Sequence, residues 1–320
     1  MEVGRKSVAY NSPAVSCCSC RDLPAENCTY LCEVIFTYCL QEQCAHCPLV
    51  NISERQGELE TIKQAVKREA KYAADNGYKS LCVYLIGGDS FSAWERLVSF
   101  GEWLWSAPLG IEVSLGLTLC STKLSYKEKT WILRNKEHLS ITFRYNGTLG
   151  QAIWENNTIL RHSVVKTVCL CVTRDSLPLL DGEIRMFAAE GKEIVLDYLD
   201  VETWDRTQML EYVRSITRAS LWYYKKYYTT ILMSRRFTCF GNKGRSLITI
   251  DTDGKRYPCR YCSPERMIYS TLREQIEWFS TSKSLCGASD YMVKTHVNYA
   301  VITQFHDELN RRAELLQKNV

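Results

Sequence analysis

Between residues 31 and 204 short apolar runs alternate with longer amphipathic ones, and this alternation restricts the fold more than any other feature of the chain. The strand-like runs are 31–38, 80–86, 111–117, 139–143, 164–172 and 193–198. Helical patterns occupy 58–76, 91–105, 126–135, 150–160 and 179–190, and a long one begins at Trp204. In 58–76, Leu59, Ile62, Ala65 and Val66 share one face while Lys and Glu take the other, and Asn76-Gly77 supplies a helix stop. Six strand–helix units in series predict an α/β chain with a parallel sheet and helices outside it. The pattern stops after six units, so a closed eight-unit barrel is not expected. A partial (β/α)6 barrel of TIM type is, with its chemistry at the C-terminal ends of the strands.

The first of those ends leads into Cys39-x4-Cys44-x2-Cys47, followed by Pro48. Three thiolates from one loop can hold three irons of a [4Fe–4S] cluster and leave the fourth iron open to a substrate or cofactor. Zinc is the competing occupant. A structural zinc site takes four protein ligands, and no fourth ligand is adjacent here. The second strand-like run ends in Gly87-Gly88-Asp89, which falls on the same rim.

The chain has 320 residues, enough for one large domain or one domain with an appendage. A formal net charge of +4 does not by itself call for nucleic acid. No apolar run reaches the roughly 20 residues that a membrane-spanning helix needs, and Met-Glu-Val-Gly-Arg-Lys at the start is not followed by a signal-peptide core. A cytoplasmic location is expected. Sixteen cysteines in such a chain read as metal ligands and reduced thiols rather than disulfides. Cys82, Cys120, Cys169 and Cys171 lie in apolar strand-like surroundings and are expected to be buried, inert thiols. Cys17, Cys18 and Cys20 show no regular ligand spacing and are read as thiols on a polar arm spanning residues 1–30.

Past residue 230 the pattern changes. Residues 247–251 and 256–261 are strand-like and flank Thr252-Asp253-Gly254-Lys255, a strong hairpin signal. Cys239 precedes this hairpin, and Cys259 and Cys262 lie on and after its second strand, which suggests a second metal site. The chain closes on a helix over 301–318. Residues 221–228 are aromatic and basic. They can stack on nucleic-acid bases or pack their rings as an amphipathic helix, and the second reading is preferred.

Taken together, the strand, cysteine loop, Gly-Gly-Asp and serial units over about residues 31–205 resemble the radical S-adenosylmethionine superfamily. That family spaces its loop C-x3-C-x2-C, so this chain carries one extra residue. Cys239-x14-Gly254-x4-Cys259 resembles the opening of a SPASM or twitch domain, although the later cysteine run of a full SPASM domain is absent. The resemblance divides the chain into a cysteine-rich arm (1–30), a partial barrel (31–230) and a small C-terminal hairpin/helix extension that binds a cluster (231–320). It implies a first [4Fe–4S] cluster on Cys39, Cys44 and Cys47, and an auxiliary cluster drawn from Cys239, Cys259, Cys262 and Cys286. S-adenosylmethionine would bind the open iron. Gly87, Gly88 and Asp89 would meet its amino group, Ser114 on the third strand its ribose or carboxylate, Arg144 past the fourth strand its carboxylate, and His46 would lie beside the adenine.

The activity so implied is reductive cleavage of S-adenosylmethionine to a 5′-deoxyadenosyl radical, which takes a hydrogen atom from a substrate. A peptide or protein substrate is expected, with flavodoxin or ferredoxin as reductant. The segment before the first strand is too short for a separate leader-binding domain. Two alternatives stand: a small-molecule substrate, and a non-enzymatic scaffold whose metals are structural. A third, RNA modification, rests on residues 222–228 alone.

Overall fold

The protein is described from a computed structural model. The described residues are 29–38, 55–87, 90–119, 124–145, 158–198, 201–227, 233–236, 247–257 and 297–318.

The six expected units are present. The strands are β1 (Thr29–Tyr38), β3 (Ser80–Gly87), β4 (Glu112–Leu119), β5 (Leu139–Tyr145), β6 (Val165–Val172) and β7 (Glu193–Tyr198). A two-residue strand, β2 (Arg55–Gln56), pairs antiparallel with the end of β1. The connecting helices are α1 (Leu59–Asp75), α2 (Trp94–Ser106), α3 (Tyr126–Arg134), α4 (Thr158–Arg161), α5 (Leu180–Ala189) and α6 (Arg206–Tyr227). Short 3-10 turns, Ser90–Ala93 and Arg174–Leu179, lead into α2 and α5. The helix expected over 150–160 is described only for its last turn, α4.

β1, β3, β4, β5, β6 and β7 lie side by side in chain order and all run parallel. Unbroken order leaves no reversal point of the doubly wound kind. The helices accordingly lie over one face. One cluster gathers Ile62, Val66, Leu97, Phe100, Ile132, Ile184, Phe187 and Ile216 from the helices with Val34, Val83, Leu117, Ile141, Leu170 and Leu196 from the strands. A strand alternates its faces, so the residues between those apolar ones point to the inner face, which the helices do not cover. β5 shows this plainly: Leu139, Ile141, Phe143 and Tyr145 are buried, while Ser140, Thr142 and Arg144 are half-buried.

Two further parallel strands extend this sheet. β8 (Met233–Arg236) pairs with β7, and β9 (Leu247–Ile250) pairs with β1. β10 (Arg256–Tyr257) completes the expected hairpin against β9. The sheet thus runs open from β10 to β8. Asp251 accepts from the Gly254 N–H at 2.8 Å, and Gly254 has φ 75°, the left-handed residue that a bulged hairpin turn requires. This turn lies on α1: the Gly254 carbonyl accepts from Arg68 at 3.0 Å. Beneath it Arg256 pairs with Glu69 at 3.2 Å, and Tyr30 of β1 donates to Glu69 at 2.7 Å. The hairpin foreseen as part of a C-terminal extension therefore continues the barrel's own sheet.

The last helix, α7 (Val297–Lys318), packs on α6. Asn298 donates to the carbonyls of Val201 and Trp204 at 2.9 and 2.8 Å, and the buried His306 ring meets the Tyr212 hydroxyl. The aromatic segment of α6 is amphipathic, as preferred from its sequence. Tyr223 packs against the core, Trp222 lies under Arg185 and Lys226, and Leu221 and Tyr227 are exposed. Among the described residues no helix is long and apolar enough to cross a membrane.

Candidate functional site

The C-terminal ends of β1 and β3 meet. Thr37 is in register with Gly87, two residues before Cys39 and one before Gly88. Both motifs therefore start from one point on the rim. Cys39, Cys44, His46, Cys47, Gly88, Asp89, Cys239, Cys259, Cys262 and Cys286 lie outside the described residues. Gly87 is described as the last residue of β3. Among the described residues no cluster of His, Cys, Asp and Glu can hold a metal.

The chain leaves β1 at Tyr38 and re-enters at β2, where Gln56 and Arg55 pair with Thr37 and Tyr38. The two strands so paired flank residues 39–54, which lie outside the described residues. Gly57 follows β2 and is clamped by α2, since its carbonyl accepts from the Arg96 guanidinium. The same guanidinium lies 4.8 Å from the centre of the Phe36 ring.

Two buried polar atoms next to this rim have no hydrogen-bond partner among the described residues: Ser90 Oγ, directly after Asp89, and Arg96 Nε. Such orphans are costly. Three cysteines in the loop supply thiolate ligands suited to an iron–sulfur cluster.

Below the rim, the inner face holds a small apolar island followed by a polar strip. Ile35, Ile86 and Tyr84 form the island. The Tyr84 ring lies over Gly116, where an added Cβ would meet Cδ2 at 2.1 Å, and its hydroxyl reaches Thr118 Oγ1 at 3.0 Å. Thr118 is in register with Thr142 on β5. Arg144, within β5 rather than past it, forms an ion pair of 2.9 Å with Asp197 on β7, bridging across β6. Deeper, the buried Glu33 carboxylate accepts from Thr249 of β9 at 3.3 Å.

Ser114 shares the inner face but sits low on β4, in register with Cys82. At about 3.3 Å per residue it lies about 13 Å below Thr118. Arg144 and Ser114 are therefore not brought together. The cysteines also need revision. All three of Cys82, Cys169 and Cys171 alternate onto the face that no helix covers; Cys169 and Cys171 are buried as expected, Cys82 is only partly so, and Cys120 lies outside the described residues. Asp197, Thr118, Thr142, Tyr84 and Arg96 were not singled out from sequence. The signal for the first three was legible: polar residues every second position in parallel strands, where two-sided burial would give an unbroken apolar run.

No family model matches the chain, and no curated protein matches it either. Solved structures do. The chain aligns with an anaerobic sulfatase-maturating radical S-adenosylmethionine enzyme, anSMEcpe, in its histidine-tagged form with bound AdoMet. The TM-score is 0.58 at 11% identity, covering 91% of this chain and 96% of that one. A second match is native anSMEcpe with bound AdoMet and a Cp18Cys peptide, at TM-score 0.53 and 11% identity, covering 81% and 87% of the two chains. At this identity the likeness shows a shared fold: the open α/β barrel of those enzymes.

Proposed function

We propose that this chain is a radical S-adenosylmethionine enzyme that abstracts a hydrogen atom from a peptide or protein substrate. The observation that carries this reading is the register Thr37–Gly87, because it starts the three-cysteine loop and Gly-Gly-Asp from one point on the rim. The same fold in an enzyme with bound AdoMet and peptide supports it.

In this reading Cys39, Cys44 and Cys47 hold a [4Fe–4S] cluster, and Cys239, Cys259, Cys262 and Cys286 serve an auxiliary one. S-adenosylmethionine bound beside a reduced cluster supplies the one-electron chemistry. The chain's own residues bind and aim. Gly87 and Gly88 let the cofactor approach the backbone, Asp89 pairs with its ammonium, and His46 lies beside its adenine. Arg144 offers a guanidinium suited to its carboxylate, in exchange for or alongside Asp197. The island of Ile35, Ile86 and Tyr84 keeps the floor of the site dry, and the strip from Thr118 to Asp197 offers donors and acceptors to a peptide. A reductant of the flavodoxin or ferredoxin type would deliver the electron, in the cytoplasm.

The test is anaerobic reconstitution with iron and sulfide, reduction, and addition of S-adenosylmethionine with a peptide library. Formation of 5′-deoxyadenosine is expected. A protein that takes up zinc in preference to iron and sulfide, or an intact cluster without any cleavage, would overturn the reading.

A further inference from the structure

We infer that the outward face of α6 is a docking surface for an acidic, amphipathic polypeptide segment of a partner protein. The inference does not rest on the proposed reaction.

Pattern, exposure and charge set this face apart. Arg206, Leu210, Arg214, Thr217, Leu221 and Lys225 recur at steps of three or four and so form one stripe along the helix. The stripe is turned away from Met209, Tyr212, Ile216 and Ala219, which are buried. Leu210 and Leu221 are 44% and 55% exposed, and six of the nine large exposed apolar side chains among the described residues belong to α6 and α7. The charge of the stripe is uncompensated. Glu211 is the only carboxylate of α6 and is taken by Arg218 at 2.8 Å, while Asp181 of α5 is taken by Arg185 at 2.7 Å. Arg206, Arg214 and Lys225 are exposed and have no carboxylate partner among the described residues.

A basic stripe interrupted by leucines matches an acidic partner with apolar residues at the same spacing. Leu210 and Leu221 stand three helical turns apart, about 17 Å, a repeat that a partner helix offers on one face. Other occupants fit less well. Stacking on bases needs open rings, and Trp222 already has Arg185 and Lys226 over it at 5.5 and 5.1 Å. A membrane surface takes a broad, continuous apolar face, whereas Arg214 and Thr217 separate the two leucines here. A second copy of this chain, paired through the same face, would set cations against cations. α6 runs from the end of β7 to the strand β8 beside it, and so from the rim to the opposite end of the sheet. Its length is about 33 Å, and a partner helix laid along it brings one end to the rim.

The experiment measures fluorescence anisotropy of a labelled synthetic helical peptide added to the full-length protein in low salt. The peptide carries glutamates opposite Arg206, Arg214 and Lys225 and leucines at the spacing of Leu210 and Leu221. A second peptide has every glutamate replaced by glutamine. The acidic peptide should bind wild-type protein at least about tenfold more tightly than the glutamine peptide, with an affinity that falls as salt is raised. Arg214→Glu combined with Lys225→Glu should weaken it about tenfold or more, and Leu221→Ser alone several-fold. Arg214→Gln combined with Lys225→Gln serves if the charge reversal does not fold. Arg311→Glu combined with Arg312→Glu on α7 changes the net charge equally, at residues that already pair with Glu308, and should leave binding unchanged. No binding of the acidic peptide, or equal losses in the α6 and α7 variants, overturns the inference. Tighter binding of single-stranded RNA or of phosphatidylserine vesicles, lost in the same α6 variants, overturns it in favour of nucleic acid or membrane. A wild-type dimer in sedimentation that the α6 variants abolish overturns it in favour of a second copy.

Discussion

The behaviour of single residues here is set by which face of the sheet they occupy. Glu183 of α5 is buried with no partner for Oε1 among the described residues, and its hydrogen bond to Tyr145 of β5 does not offset the desolvation. Burial raises its carboxyl from 4.5 to about 7. A group raised on folding stabilises the fold below its unfolded pKa, and that contribution is lost as pH rises toward the folded value. Thermal stability should therefore fall between pH 4.5 and about 7, and Glu183→Gln should flatten that decline and melt higher than wild type at pH 8. Melting curves at pH 5 and 8 decide this; equal slopes for both proteins would reject it. On the inner face, Gly116→Ala would drive a methyl group into the Tyr84 ring, which must leave Thr118. A loss of about 1–3 kcal/mol in denaturant unfolding is expected, as for other overpacked sites, together with weaker S-adenosylmethionine binding by calorimetry.

At the level of elements, the β9–β10 hairpin is the piece whose placement matters most. Its strands are short, so its position depends on contacts with α1 and β1. Gly254 has a left-handed φ, and a Cβ there would meet Thr61 Cγ2 at 2.6 Å. Gly254→Val combines that clash with backbone strain and should destabilise by about 2–4 kcal/mol. Arg256→Met removes a partner from Glu69, which is buried and accepts from Tyr30. Stranding one partner of such a pair is costly, so the variant should show faster hydrogen exchange in 247–257 while α5 is unaffected. Uniform protection across both regions would mean that the hairpin is held by other contacts.

For the whole molecule, the proposal separates two metal sites on one open sheet. Replacing Cys39, Cys44 and Cys47 together by Ala should remove about four irons per chain and abolish 5′-deoxyadenosine. Replacing Cys259 should lower iron by a similar amount yet spare cofactor cleavage, with product lost. Iron analysis and product chromatography on both variants test the division. Unchanged iron in the first variant would reject the assignment of that loop.

The order and type of the six strand–helix units were legible in the sequence because burial on a strand or helix face repeats every few residues. The observed strand ends lie within two residues of the expected ones. That the segments carrying the three cysteines and Gly-Gly-Asp set out from neighbouring strand ends was legible too, since both directly follow strands of a parallel series. The hairpin was visible from Asp253-Gly254, but its seat was not: β9 lies beside β1 through pairings that join residues more than two hundred positions apart. β8, only Met-Ser-Arg-Arg, has no periodicity to read and exists because β7 offers it an edge. The pairing of Arg144 with Asp197, the Tyr84 ring over Gly116 and the grip of Arg96 on Gly57 were decided by tertiary structure alone. Local periodicity fixes which way a side chain faces along its own element, whereas its partner is chosen by the register of strands distant in the chain.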